Sequence, residues 1–235
     1  MISLAFDTSS PVLTIALGDE ESIINEVDMW LPKGHMANLI PAIDDLLKNS
    51  NLKIDDVNVI VIGSGPGSYT GLRIGMEMAR TFAQLLEIPI IGIASMDAIA
   101  YRNAYNKAII CPVIDAKRGE VYTALYRITD GKTYHITGYK VLNPEELASI
   151  LVLEGYERIV FAGDALKLYA DVFRQLLQDK AEFAPEEDWW PRASDLIRLT
   201  RQRIVQRDFD ELYRLTPIYV RLSQAEEMWE KRHQG

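Results

Sequence analysis

Gly63-Ser64-Gly65-Pro66-Gly67-Ser68-Tyr69-Thr70-Gly71-Leu72-Arg73-Ile74-Gly75 is the stretch on which the fold turns. It follows Val57 to Ile62, a β-rich run with the signature of a strand buried on both faces. A helical pattern follows it, from about Leu72 to Leu86. Strand, glycine-rich turn and helix in that order place backbone N–H groups at a helix N-terminus, where anions are favoured. The stretch is no P-loop, because no Gly-Lys-Ser/Thr ending is present, and its spacing does not fit a dinucleotide fingerprint. Two readings stay open: a phosphate cradle, or a tight structural turn.

Toward the N-terminus, Ile2 to Phe6 is a short apolar run ending at the turn cluster Asp7-Thr8-Ser9-Ser10-Pro11. Val12 to Leu17 and Ser22 to Val27 continue as strands, so an antiparallel meander is expected. Met36, Leu39, Ile40, Ile43, Leu46 and Leu47 then recur at helical spacing. Pro41 would remove a backbone hydrogen bond unless it lies in the first turn, which places the helix start near Ala37 or Asn38. Beyond Leu86, Pro89 to Ile93 reads as a buried strand, and Ser95 as the cap of a helix through Ala104.

The opening theme then repeats. Ala108 to Ile114 is a strand ending at Asp115, and Ala116-Lys117-Arg118-Gly119 is a turn. Glu120 to Ile128 and Lys132 to Val141 alternate as strands. Asn143 caps a helix that has Pro144 at its first position. A strand from Arg158 to Ala162, a helix from Lys167 to Leu177 and a helical pattern from Trp190 to Gln206 complete the chain. This predicts an α/β protein of two packed lobes, residues 1–104 and 105–235, with a duplicated strand-strand-strand-helix core. The boundary falls near Asn103 to Lys107.

Hydrophobic residues make up 48% and charged residues 25%, so disorder is excluded. The single cysteine, Cys111, excludes a disulfide framework or a cysteine zinc cluster, and its apolar surroundings predict a buried thiol. No signal peptide or membrane-length apolar run is visible, so the cytoplasm is the expected address. Net charge is −9, whereas a chain that grips a phosphate backbone alone carries a basic excess or patch. The densest basic stretch, Arg192 to Arg207, is interleaved with Asp195 and reads as a solvated helix face.

Asp7 and Asp115 stand at corresponding strand ends, as in the actin/Hsp70/sugar-kinase class of ATP-binding fold. The expected phosphate-facing turns are Asp7, Thr8 and Ser9; Gly65, Gly67, Ser68 and Thr70; and Asp115 with Arg118. A plain Asp-capped turn is the competing reading at Asp115, since that turn is bulky and basic. His35 has Leu39 four residues on, so no imidazole pair forms on the helix. His135 and His233 complete no metal or nucleophile constellation, and Gly-x-Ser-x-Gly is missing. The second long helix carries two apolar stripes: Leu72, Met76, Ala79, Ala83 and Leu86, and Ile74, Met78, Phe82 and Leu85. A helix apolar on two sides is buried on two sides. Two covers for the second side stay open, later helices of the same chain or a partner; the partner face would be Met36, Leu39, Ile40, Ile43 and Leu47 beside Ile74, Met78, Phe82 and Leu85, with Met78→Glu and Phe82→Asp as its probes.

Gly65 to Gly75 resembles the TsaB (YeaZ) family, whose members read Gly-Pro-Gly-Ser-aromatic-Thr-Gly-Leu-Arg-x-Gly. Asp7-Thr8-Ser9, His35 with Leu39, Pro41 and Leu46-Leu47, Asp115 to Tyr122, and Pro217-x-Tyr219-x-Arg221 agree in order. The resemblance implies the two-lobed actin/Hsp70-like (ASKHA, ribonuclease-H-like) fold. It also implies a non-catalytic scaffold role in forming N6-threonylcarbamoyladenosine at position 37 of tRNAs that read ANN codons. The implied partners are the paralogue TsaD, which carries a His-x-x-x-His metal pair, and the ATPase TsaE; TsaC makes the activated substrate. It implies a homodimer when the chain is alone, tRNA contact only through the complex, no tightly bound cofactor, and ATP or ADP only within the complex. An ATP-binding kinase or transferase of the same fold is the alternative, and a metallopeptidase is disfavoured by the missing ligands.

Overall fold

The computed structural model describes residues 1–104, 108–129 and 132–221. The first lobe runs β1 (Ile2–Asp7), β2 (Val12–Gly18), β3 (Ile23–Trp30), α1 (His35–Asn49), β4 (Val57–Gly63), α2 (Tyr69–Leu86), β5 (Ile90–Ile93) and α3 (Ser95–Arg102). The second runs β6 (Ile109–Lys117), β7 (Glu120–Thr123), β8 (Tyr126–Thr129), β9 (Lys132–His135), β10 (Lys140–Leu142), α4 (Pro144–Glu154), β11 (Ile159–Ala162), α5 (Leu166–Leu177), β12 (Ala181–Phe183) and α6 (Ala193–Gln206).

The sheets are ordered β3-β2-β1-β4-β5 and β10-β7-β6-β11-β12, the same arrangement position for position. In each, the meander is antiparallel and the later strands are parallel. The expected strand from Glu120 to Ile128 is interrupted after Thr123. Its second half is β8, which leaves β7 and pairs with β6 at Ile110 and with β9 as an inserted hairpin. Likewise the expected strand from Lys132 to Val141 divides into β9 and β10.

Strand alternation sorts the faces of the first sheet. Leu4, Phe6, Leu13, Ile15 and Leu17 point at α1 and α2. Ala5, Ala16 and Val61 point the other way and meet Ala193, Leu196 and Ile197 of α6. α6, which falls within residues 105–235, therefore covers the sheet of residues 1–104. Its start is fixed by the first lobe as well: Thr14 Oγ1 accepts from Ala193 N at 2.9 Å, and Glu26 Oε1 accepts from Ser194 N at 2.9 Å. Those are N–H groups the helix itself leaves unpaired, and the carboxylate sits at the positive end of the dipole. In exchange, α3 packs Met96, Ile99 and Ala100 against Ile110, Tyr126 and Val160 of the second lobe.

α1 begins at His35, earlier than expected, so Pro41 lies inside it rather than in its first turn. Gly34, left-handed at φ 97°, starts the helix without a side-chain cap, and Asn38 Nδ2 donates to its carbonyl at 2.8 Å. Asn143 does cap α4, accepting from Glu146 N at 2.7 Å. Cys111 is buried and donates to or accepts from Thr123 Oγ1, and desolvation pushes its thiol up to about 12. Among the described residues no helix is long and apolar enough to cross a membrane.

Candidate functional site between the lobes

Asp7 closes β1 and is fully buried. Its Oδ1 accepts from Ser9 N at 2.7 Å and Ser9 Oγ at 2.6 Å, and its Oδ2 accepts from Ser95 Oγ. Ser95 Oγ also accepts from Gly65 N at 2.9 Å. Ser95 is thus the first residue of α3, not its cap, and its hydroxyl ties the glycine-rich turn to the Asp7 carboxylate. Burial pushes that carboxyl above its ordinary value, and the Ser9 and Ser95 donors pull it partly back.

The glycine-rich turn lies directly on the turn after β1. Thr8 Oγ1 donates to the Gly71 carbonyl at 2.7 Å, and Ser68 N donates to the Ser9 carbonyl at 2.7 Å. A methyl group at Gly67 would collide with the Ser9 carbonyl, and one at Gly71 with the Thr8 carbonyl. Glycine is required here for backbone contact within the chain. Gly65 N, Ser68 N and Gly71 N all donate internally, the last to Ser68 Oγ at 3.3 Å. These three donors serve the turn itself.

In the second lobe, Asp115 Oδ2 pairs with Lys117 Nζ at 2.5 Å, and its Oδ1 accepts from Lys117 N at 2.8 Å. Asp115 N donates to Asp164 Oδ1 at 2.9 Å. Asp164, after β11, carries no sequence motif and was missed; burial, aided by the Asp115 charge, holds its carboxyl above the usual range. Lys117 and Arg118 take left-handed φ values of 61° and 60° before Gly119 at 83°.

These turns face each other across a cleft of about 640 Å³, lined among others by Ser9, His35, Gly67, Thr70, Asp115 and Asp164. Of the expected phosphate-facing residues, Ser9, Gly67, Ser68, Thr70 and Asp115 line the cleft. Asp7, Thr8 and Gly65 are buried behind the turns, and Arg118 lines a second cavity. His35 Nε2 lies 2.9 Å from the Ser10 carbonyl. His135 pairs with Asp97 at 3.3 Å, and His233 lies outside the described residues. Among the described residues no three His, Cys, Asp or Glu side chains gather as a metal site.

The expected partner face divides. Leu39, Ile43 and Leu47 belong to the core of the first lobe, while Met36 is 71%, Ile40 53% and Leu85 76% exposed. Met78 and Phe82 are half-buried against the same core, and Phe82 meets Phe6 edge-on at 6.5 Å. Phe82 is therefore a packing residue, which spoils it as a surface probe.

A TsaD family model, tRNA N6-adenosine threonylcarbamoyltransferase, matches residues 31–229. The tRNA threonylcarbamoyladenosine biosynthesis protein TsaB of Bacillus subtilis is 32% identical over 229 residues, spanning 97% of this chain and 98% of that protein. The chain belongs to the TsaB family. YeaZ from Pseudomonas aeruginosa superimposes with a TM-score of 0.79 at 27% identity, over 93% of this chain and 99% of that one. The activator of the 2-hydroxyisocaproyl-CoA dehydratase from Clostridium difficile, solved with bound ADPNP, shares the fold alone. Its TM-score is 0.51 at 8% identity, over 90% of this chain and 99% of that one. The TsaB chain thus has the two-lobed actin/Hsp70-like fold that its duplicated topology predicts.

Proposed function

We propose that this TsaB-family chain is the non-catalytic subunit of the bacterial assembly that forms N6-threonylcarbamoyladenosine in tRNA. In this reading it supports a TsaD-type transferase and works with TsaE. The observation that carries the reading is Leu39. It stands on α1 where the paralogue's metal pair would need a second histidine, and it is fully buried in the core. His35, with Nε2 against a backbone carbonyl, offers one imidazole, and among the described residues no partner ligand joins it. The internal use of the Gly65, Ser68 and Gly71 N–H groups supports a further reading: the isolated chain holds no nucleotide tightly, and ATP or ADP enters only with the complex.

Reconstitution tests this. Threonylcarbamoylation of tRNA is expected with this chain, TsaD, TsaE, TsaC, ATP, threonine and bicarbonate together. It should vanish when either this chain or TsaD is left out. Modification that persists without TsaD would make this chain the transferase and end the proposal.

The exposed part of the α1–α2 surface, Met36, Ile40 and Leu85, flanked by half-buried Ile74 and Met78, is assigned as the partner face. Large apolar side chains left at such exposure on adjacent helices suit burial against another subunit. The same face would join two copies when TsaD is missing.

A further inference from the structure

Beside the cleft, across the turn between β6 and β7, lies a second cavity of about 510 Å³. Among the described residues that line it, four are cationic, Arg73, Lys117, Arg118 and Arg221, and none is acidic. The chain as a whole carries net charge −9, so four cations on one cavity wall stand out, although Lys117 pairs with Asp115 and Arg221 with Glu120. Tyr69 and Tyr219 supply aromatic walls, with ring centroids 5.1 Å apart.

We propose that this cavity seats one unpaired nucleotide of the tRNA, its phosphate beside Arg118 and Arg73 and its base against Tyr69 and Tyr219. The inference rests on the reading of the assembly as one that modifies tRNA. Cations beside aromatic faces are how proteins hold single-stranded nucleic acid, because each base has a π-face and each phosphate a charge. A carboxylate from a protein partner would use the cations alone, whereas a nucleotide would also use the tyrosine pair, over which the Arg73 guanidinium lies 4.1 Å from the Tyr69 ring centroid.

Two features show that the cavity is built to a shape. First, Lys117 and Arg118 hold left-handed backbone where Asn or Gly is the usual residue. A bulky cation there costs about 1 kcal/mol or more, and it persists only where the surroundings impose it. Second, the segment from Pro217 to Arg221 straps the lobes together along the cavity wall. Ile218 N donates to the Ser64 carbonyl at 2.8 Å, and Arg73 Nε donates to Tyr219 Oη at 3.3 Å. Arg221 Nη1 donates to the Ala116 carbonyl at 3.1 Å, and its guanidinium pairs with Glu120. The strap fixes Tyr219 against Tyr69 before any ligand arrives. One seated nucleotide neutralises about one phosphate, so the contact is weak for the isolated chain and adds to binding within the complex.

The test is tRNA binding by the assembled complex of this chain with TsaD and TsaE, followed by fluorescence anisotropy across a salt series. Arg118→Gln should reduce the slope of log affinity against log salt by about 0.7, the value for one phosphate of a single strand. Tyr219→Leu should weaken binding about tenfold with the slope unchanged. Sedimentation of each variant with TsaD, without RNA, runs alongside. Unchanged affinity and slope in an intact assembly overturn the proposal. Loss of TsaD binding in the absence of RNA overturns it too, and gives the cavity to an acidic protein segment. Competition by AMP at micromolar concentration would give it to a free nucleotide. Should Tyr219→Leu fail to fold, the exposed Arg118→Gln carries the test by itself. A wild-type complex that neither binds nor modifies tRNA refutes the underlying reading, and that result is separate because it needs no variant.

Discussion

Asp164 shows how a single carboxyl can record the state of the cleft. Burial and the nearby Asp115 charge raise its pKa above the ordinary 3.8, while Asp115 N–H and Lys117 act against them. A carboxyl whose folded value lies above its unfolded value gives its full contribution to stability below about pH 3.8. That contribution is lost as pH rises through the folded value. Asp164→Asn keeps an acceptor for the Asp115 N–H and removes the charge. The variant should therefore gain on the wild type as pH increases from about 4 toward neutrality, read from urea midpoints at each pH. A difference that stays flat across that range would show that Asp164 is not held protonated by folding. Neither Asp164 nor Ser95 was legible as a site residue in the sequence. A lone Asp after a short strand and a Ser at a helix start have several commoner uses, and only the fold brings Ser95 Oγ to Asp7. Asp7 and the glycines were legible because a terminal Asp and closely spaced glycines are local backbone signals.

The helices α1 and α2 show what a hydrophobic period reveals and what it leaves open. The spacing of Leu39, Ile43, Leu46 and Leu47 marks a helix, and so does that of Met36 and Ile40, yet the first set is core and the second is surface. Periodicity orders positions around the helix axis but does not say which stripe meets the chain's own sheet. The same limit explains α6: its apolar face was visible, and the sheet it would cover was not. β12, with three residues, is too short to have a period and was not foreseen. The corrected surface changes the mutational test. Leu85→Glu, on a side chain 76% exposed, should leave the thermal melt unchanged and abolish association with TsaD and with a second copy, as read by sedimentation. An unpaired charge buried at such an interface costs several kcal/mol, enough to remove a micromolar association. Phe82→Asp should instead unfold the lobe, because it sets a carboxylate against Phe6. Normal association of the Leu85 variant would move the partner face elsewhere.

At the scale of the whole molecule the two lobes repeat one topology, and the repeat was readable from strand, terminal Asp, turn and helix recurring in order. The exchange of α3 and α6 between the lobes was not readable, since it depends on contacts between elements that no local pattern joins, in the case of α6 with a sheet more than a hundred residues earlier in sequence. It bears on how the protein is made. The first sheet is fully synthesised once β5 ends at Ile93, yet one of its faces waits for α6, which ends at Gln206. At about 5–20 residues per second, the ribosome leaves Ala5, Ala16, Val59, Val61 and Ile91 without their cover for roughly ten seconds. Nascent chains arrested before Ala193 should be cut rapidly by protease within residues 1–104, and chains released beyond Arg207 should resist. Equal resistance at both lengths would mean that the first lobe closes without its last helix. If the difference holds, the N-terminal half is a client for chaperones throughout its synthesis, and the lobes become stable in one event rather than in turn.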